Sequence, residues 1–210
     1  MSAPVWRRLQ FAAACCLIAA YAALSHYCNT GGAGRLGAAL ALVPLLAFGA
    51  TLLGRYLPPL FAVPAALAAA VLLYDYWSVL EKNFSVVYLL QECGMYGLLA
   101  FGFGGSLRSG GTALCTRLAD KLHGPLTPAE VRYTRQVTMA WALFFGVLML
   151  ATLLLYVSAP LTLWSMFVNF GTLPLIGAMF AGEYAVRRRV LPHTDRRGIM
   201  ATVRVFFSNR

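Results

Sequence analysis

Apolar residues run along this chain in long blocks. Six of them, residues 9–27, 36–53, 58–78, 85–105, 137–158 and 160–184, are 18 to 25 residues long. A helix rising 1.5 Å per residue needs about 20 residues to cross ~30 Å of hydrocarbon. Each block therefore predicts a membrane-spanning helix. The segments between them are short except for residues 106–136, and a polar tail covers 187–210. The expected fold class is an all-α integral membrane protein. A single transmembrane domain over residues 1–210 would form a bundle of six transmembrane helices, with short cytoplasmic amphipathic helices in the loop and the tail.

The long connection has its own pattern. Gly102, Gly104, Gly105, Gly110 and Gly111 make a hinge where the chain leaves the fourth span. No Gly-Lys-Ser/Thr follows, so this is no phosphate loop. Leu114, Cys115, Leu118 and Leu122 then recur at helical spacing, and His123-Gly124-Pro125 ends the helix with glycine as its cap. Thr127-Pro128-Ala129-Glu130 opens the next one: threonine as N-cap, proline at the first helical position, glutamate closing a capping box. That helix continues into the fifth span, and Glu130, Arg132, Tyr133, Arg135 and Gln136 form its cytoplasmic stub. In the tail, Ile199, Met200, Val203, Phe206 and Phe207 recur at helical spacing, among Arg196, Arg197 and Arg204, as an amphipathic element.

Composition agrees with this pattern. The 210 residues are 60% hydrophobic and 11% charged, against about a quarter charged in a soluble domain. Mean hydropathy is +0.70. The formal net charge of +10 would suggest nucleic acid in a soluble domain. Here the bases flank apolar spans, so they predict topology and contact with anionic lipids, with no nucleic-acid partner. With the N-terminus inside, fifteen of the seventeen Lys and Arg fall in inner segments, and only Arg35 and Lys82 fall outside. Both termini are therefore expected in the cytoplasm, in a bacterial inner membrane. The first block is read as a retained helix, because its apolar run is longer than that of a usual signal peptide.

One stretch breaks the apolar rule. YLLQECGMYG, inside the fourth span, carries Gln91 and Glu92. A charge at membrane depth costs roughly 2.5–3.5 kcal/mol on insertion scales. Tyr88, Glu92 and Tyr96 stand at i, i+4 and i+8 on one helix face, which points Glu92 into the bundle, about 10 Å below Ser85. Asn169 in the sixth span shares that level. Pro174 cannot donate to the carbonyl of Phe170, so a kink is expected there, and Pro44 and Pro64 are further candidates for kinks. His26, Asp75 and Glu81 would lie nearer the outer surface, with Asp75 in an aromatic belt of Tyr74, Tyr76 and Trp77. Two roles stay open for Glu92: a protonated clasp to Asn169 or a backbone carbonyl, and a working acid. Glu183 and Arg187 are spaced as an i,i+4 pair.

Motifs for chemistry are missing from the sequence. No His is followed four or five positions later by Asp, and neither HExxH nor GxSxG occurs. The five cysteines form no CxxC pair, and neither a metal site nor a cofactor site is expected. No catalytic residue is assigned. The candidate site residues are the intramembrane Glu92, Asn169, Tyr88 and Tyr96. The candidates for docking or lipid contact are Arg117, Lys121, Arg132 and Arg135 in the loop and Arg187, Arg188, Arg189, Arg196, Arg197 and Arg204 in the tail.

The stretch ADKLHGPLTPAEVRYTRQVTMAWALFFGVLM, with LWSMFVNFGTLPLIGAMFAGEYAVRRRVLPH, resembles a family of bacterial inner-membrane proteins. Genes of that family occur in clusters for aryl polyenes and related fatty-acid-like products. The likeness rests on His123-Gly124, Arg132-Tyr133-Thr134-Arg135, Trp141, Phe144, Trp164, Asn169 and Gly182-Glu183-Tyr184, and covers the second half of the chain. It implies a pathway setting beside acyl carrier proteins and acyltransferases, and no catalytic residue. The expectation is a non-catalytic accessory protein that docks acyl-chain machinery or helps to transfer its lipid-like product. A small transporter or flippase subunit using Glu92 and Asn169 is the second possibility, and a membrane acyltransferase the third.

Overall fold

The computed structural model describes residues 3–31, 33–108 and 111–191, and these are almost wholly helical. The elements are α1 (Ala3–Gly31), α2 (Gly34–Tyr56), α3 (Pro59–Asp75), α4 (Trp77–Lys82), α5 (Phe84–Gly105), α6 (Leu114–His123), α7 (Pro128–Ser158), α8 (Leu161–Met166), a π-helical turn (Phe167–Gly171) and α9 (Thr172–Val190). Five helical segments are long and apolar enough to cross a membrane: Ala12–Gly31, Gly34–Tyr56, Phe84–Gly105, Pro128–Ser158 and Leu161–Val190. The chain is a multi-pass membrane protein by that measure. The amphipathic helix expected in the tail, with Arg196, Arg197 and Arg204, lies outside the described residues.

The third expected span differs. Residues 58–78 do not form one helix: α3 stops at Asp75, Tyr76 takes φ −95° and ψ 9°, and α4 starts at Trp77. No Gly or Pro lies between Leu72 and Lys82, so the period of the sequence carries no sign of the break. Pro44 and Pro64 sit inside α2 and α3, which run on through them.

The described residues divide into two compact units. The first comprises those of Met1–Glu92 and Thr152–Gly171. Within it, α4 returns to the start of α2. The Arg35 Nε lies 3.4 Å from Glu81 Oε1. A Cβ at Gly34 would meet the Glu81 carbonyl oxygen at 2.9 Å, and one at Gly37 would meet the Phe84 ring at 2.5 Å. The chain leaves α2 at its far end, Tyr56, so α3 and α4 together retrace the length of α2. That length is about 35 Å at 1.5 Å per residue. The core of this unit is Ala41, Tyr88 and Trp164, with Tyr21, Leu40, Phe84, Val87, Leu155 and Tyr156 among the side chains around it. Trp164 is 1% exposed and meets the Tyr156 ring edge-on at 5.1 Å.

The second unit comprises the described residues of Cys93–Ala151 and Thr172–Arg210. Its interior is aromatic: Trp141 packs against Phe180 at 4.7 Å, Phe145 at 5.5 Å, Phe144 at 5.7 Å and Phe103 at 6.1 Å. Such ring pairs are worth about 0.5–1.5 kcal/mol each beyond area burial. The expected helix ends form as the residue types require. Gly124 stands at φ 81°, a conformation open to glycine, and its N–H donates to Asp120 O at 2.9 Å. The capping box closes both ways. Thr127 N donates to Glu130 Oε2 at 2.7 Å, and Glu130 N to Thr127 Oγ1 at 3.4 Å.

Gly37 is the tightest contact in the first unit. Gly37→Leu should overpack against Phe84 and lower stability by about 1–3 kcal/mol in a thermal or denaturant melt. Gly49 has nothing within 4 Å of an added Cβ. Gly49→Ala should therefore stay within about 0.5 kcal/mol of wild type. Equal losses at both positions would refute the packing of α2 on the start of α5.

Candidate functional site

Two groups of polar residues stand out, one in each unit. In the first unit, α1 and α5 are joined by Ser25 Oγ–H donating to Tyr88 Oη at 3.1 Å, with both residues buried. The Tyr21 hydroxyl donates to the Leu40 carbonyl at 3.4 Å, and the Gln91 amide donates to the Ala41 carbonyl. α2 thus receives side-chain donors from α1 and from α5. The Glu92 carboxyl is half-buried and engaged, with the Tyr21 hydroxyl within electrostatic reach.

One level along, His26 Nδ1 lies 3.0 Å from Ser165 Oγ, and the His26 ring meets Phe170 edge-on at 5.6 Å. Asn169 Nδ2 donates to Ser165 O at 2.9 Å and reaches Ser165 Oγ at 3.2 Å. The Ser165 hydroxyl accepts from Asn169 and keeps both a proton and a second lone pair for His26 Nδ1, so the direction of that bond follows the His26 tautomer. Ser165 is 0% exposed. The His26–Ser165 pair therefore joins α1 to α8, with Ser165 buried and His26 partly so. The π-helical turn Phe167–Gly171 holds Asn169, whose side chain donates back to the Ser165 carbonyl one turn earlier. The turn ends three residues before Pro174, where the expected irregularity lies.

Of the four predicted intramembrane residues, Tyr88, Glu92 and Asn169 belong to the first unit. Tyr96 belongs to the second, where it is 0% exposed and its hydroxyl bonds Thr172 Oγ1 at 3.0 Å. The helical stripe Tyr88–Glu92–Tyr96 thus serves two separate clusters. Ser25 and Ser165 were not legible as cluster members, because a lone serine in an apolar span carries no pattern. Among the described residues, no group of three or more His, Cys, Asp or Glu could hold a metal ion.

In the second unit, α6 folds back along the first three turns of α7. Cys115 N donates to Thr138 Oγ1 at 3.2 Å, and Thr116 Oγ1 lies 2.7 Å from Thr134 Oγ1. The Thr138 hydroxyl donates to Thr134 O at 2.8 Å and the Thr134 hydroxyl to Glu130 O at 2.9 Å. Thr116 is therefore the donor to Thr134, and the Thr134 and Thr138 hydroxyls each give and take a bond. Leu114 N donates to Ser106 Oγ at 3.0 Å, tying the start of α6 to the end of α5. Burial pushes the Cys115 thiol above its ordinary range, which disfavours the nucleophilic thiolate.

These bonds turn α6 differently from its apolar pattern. Thr116 is buried, whereas Leu118 and Leu122 are 59% and 50% exposed. Arg117 and Lys121, next to them in α6, are exposed, as is Arg132 on α7. Arg135 does not join that exposed face in the same way. Its Nη2 donates to the Leu107 carbonyl at 2.7 Å and braces the α5–α6 link. Tyr133 Oη lies 3.0 Å from Glu183 O and 3.1 Å from Glu183 Oε1, and holds α9 to α7. Glu183 and Arg187 form the expected i,i+4 ion pair at 3.8 Å, and the Arg187 and Arg188 guanidinium groups each stand 5.8 Å from the Tyr184 ring. Arg188 and Arg189 are exposed.

The chain matches no family model, no curated protein and no solved structure.

Glu92 is testable directly. A protonated acid acting as a clasp is replaced well by an amide, which keeps a donor and an acceptor. Glu92→Gln should leave the melting temperature nearly unchanged, while Glu92→Leu should cost about 1–2 kcal/mol by stranding a partner. Equal stability of all three would show that Glu92 holds nothing together.

Proposed function

We propose that this chain is a non-catalytic accessory protein of a bacterial inner membrane, and that its α6–α7 hairpin docks a cytoplasmic acidic partner. The observation that carries this is the hairpin's construction. Its threonines lock α6 onto α7, and the lock leaves Leu118 and Leu122 exposed next to Arg117 and Lys121, with Arg132 exposed on α7. The first turns of α7 are polar and the apolar run begins at Val137, so the hairpin projects from the bilayer by about 15 Å, at 1.5 Å per residue over ten residues. A face that projects suits a protein partner better than a lipid surface. The resemblance of the second half to proteins of aryl-polyene clusters suggests an acyl carrier protein, which is acidic, or a related acyl-chain enzyme.

Six crossings are part of the same proposal. If α2 spans the bilayer, the return of α4 to Gly34 and Arg35 brings the chain back across it. α3 supplies that crossing, with its 17 residues about 5 Å short of the hydrocarbon thickness, and α4 completes the return at headgroup level. Both termini then lie in the cytoplasm, as the lysine and arginine distribution favours. The cross-bonded polar groups of the first unit favour a structural role for Glu92 and Asn169 over a transport role.

Topology is checked by labelling. In a cysteine-free background, an impermeant thiol reagent added outside should label a cysteine at Asn83 and spare one at Thr127; the opposite result would invert the topology.

Docking is checked by capture of the purified carrier protein of the same gene cluster. Wild type should retain it at low salt and lose it as salt rises, because exposed charges are screened. The double change Arg117→Glu and Lys121→Glu should weaken retention by about five- to thirtyfold, two charge reversals at roughly 0.5–1 kcal/mol each. Arg135→Glu would disturb the α5–α6 link and is unsuitable. No retention by wild type at low salt would end the proposal.

A further inference from the structure

The break between α3 and α4 opens a surface cavity of about 380 Å³, lined by Leu73, Tyr74, Asp75, Trp77 and Ser78. We propose that this cavity binds an ammonium group at the membrane surface, supplied by the headgroup of an ethanolamine phospholipid.

Charge is the first ground. Asp75 is the last residue of α3, and no basic residue lies in that turn. A helix C-terminus carries a partial negative charge from its free carbonyls. A carboxylate there adds to that charge where a lysine or arginine would normally relieve it. Among the described residues, no ion pair or hydrogen bond engages the Asp75 carboxylate: Glu81 takes Arg35, and Lys82 stands at the far end of α4. The site therefore attracts a cation and does not contain one.

The second ground is the kind of cation. Trp77 and Tyr74 line the cavity with the carboxylate. Aromatic faces beside a carboxylate favour an alkylammonium group over a small, strongly hydrated ion, because the ring quadrupole attracts the diffuse charge. Tyr74 is 84% exposed and Trp77 half-buried, so the rings form an open mouth.

The third ground is depth. α3 has 17 residues, about 25 Å of helix, against ~30 Å of hydrocarbon. Its other end is marked by Arg55 and Tyr56, whose guanidinium and ring are 5.8 Å apart. Its cavity end carries Tyr74, Tyr76 and Trp77. Aromatic residues at both ends of an apolar helix place the ends at headgroup level. The cavity thus opens where lipid ammonium groups are concentrated. The absence of any Gly or Pro at the break fits a junction set by tertiary contacts, with Glu81 held at Gly34 and Asp75 left facing outward.

The test uses the full-length protein in nanodiscs containing equal amounts of phosphatidylethanolamine and phosphatidylglycerol. Lipids retained after gentle extraction are counted by native mass spectrometry. Wild type should favour phosphatidylethanolamine by about fivefold, one cation–π contact plus one exposed ion pair. Asp75→Asn should abolish the preference, and Trp77→Leu should reduce it. Glu81→Gln, which removes a neighbouring carboxylate already held by Arg35, should preserve it. Equal retention of the two lipids by wild type, or a preference that survives in Asp75→Asn, would overturn the site. Should Asp75→Asn fail to insert, the wild-type comparison and Trp77→Leu still decide. A final arm adds free ethanolamine: displacement of the lipid at low millimolar concentration would overturn the lipid as the source and leave a soluble amine as the ligand.

Discussion

Hydrocarbon offers a polar group no partner outside the protein, and the first unit of this molecule is organised by that constraint. Apolar burial between helices contributes little when lipid tails are as apolar as leucine. Association rests on close packing and on side-chain bonds that cross between helices. Ser25 to Tyr88, Tyr21 to Leu40, Gln91 to Ala41 and His26 to Ser165 each tie one helix to another. Gly37 admits the Phe84 ring where any side chain would collide. Each polar contact is worth only about 0.6 kcal/mol on average. Their number, and the cost of leaving any buried donor unserved, makes them decisive together.

The second unit follows the same logic with smaller parts. Three threonines, Thr116, Thr134 and Thr138, lock the α6–α7 hairpin through bonds in which the Thr134 and Thr138 hydroxyls each have a donor and an acceptor. A helix held by hydroxyls on one side does not need its leucines there. Leu118 and Leu122 are consequently left on the outside, next to Arg117 and Lys121. Arg135 looks like part of that surface in the sequence and is instead a brace for the preceding link.

Two helix interruptions have different origins. The π-helical turn at Phe167–Gly171 precedes Pro174, a residue without an N–H, and contains Phe170, whose carbonyl Pro174 cannot serve. The interruption at Tyr76 has no such local cause. It places Glu81 against Gly34 and Arg35, and it leaves Asp75 at a helix end beside Trp77. One break is written in the chain and the other is imposed by the packing of α4 on α2.

What the sequence by itself determined follows from length and local chemistry. Apolar runs of membrane length, the glycine cap at Gly124, the capping box of Thr127 and Glu130, and the irregularity before Pro174 each depend on residues close together in the chain. They were legible for that reason. The Glu183–Arg187 pair was legible on the same ground, being one helical turn apart. Tertiary structure alone decided the rest. The choice of Ser25 for Tyr88 and of Ser165 for His26 and Asn169 joins residues far apart in the chain, through side chains that form no pattern. The same holds for the inward turn of Thr116 and for the split of the 58–78 block at Tyr76. Helical periodicity ranks faces by polarity, and it cannot weigh a hydroxyl pair against a leucine, or a close glycine contact against a continuous helix. Those contests are settled by which groups meet in space.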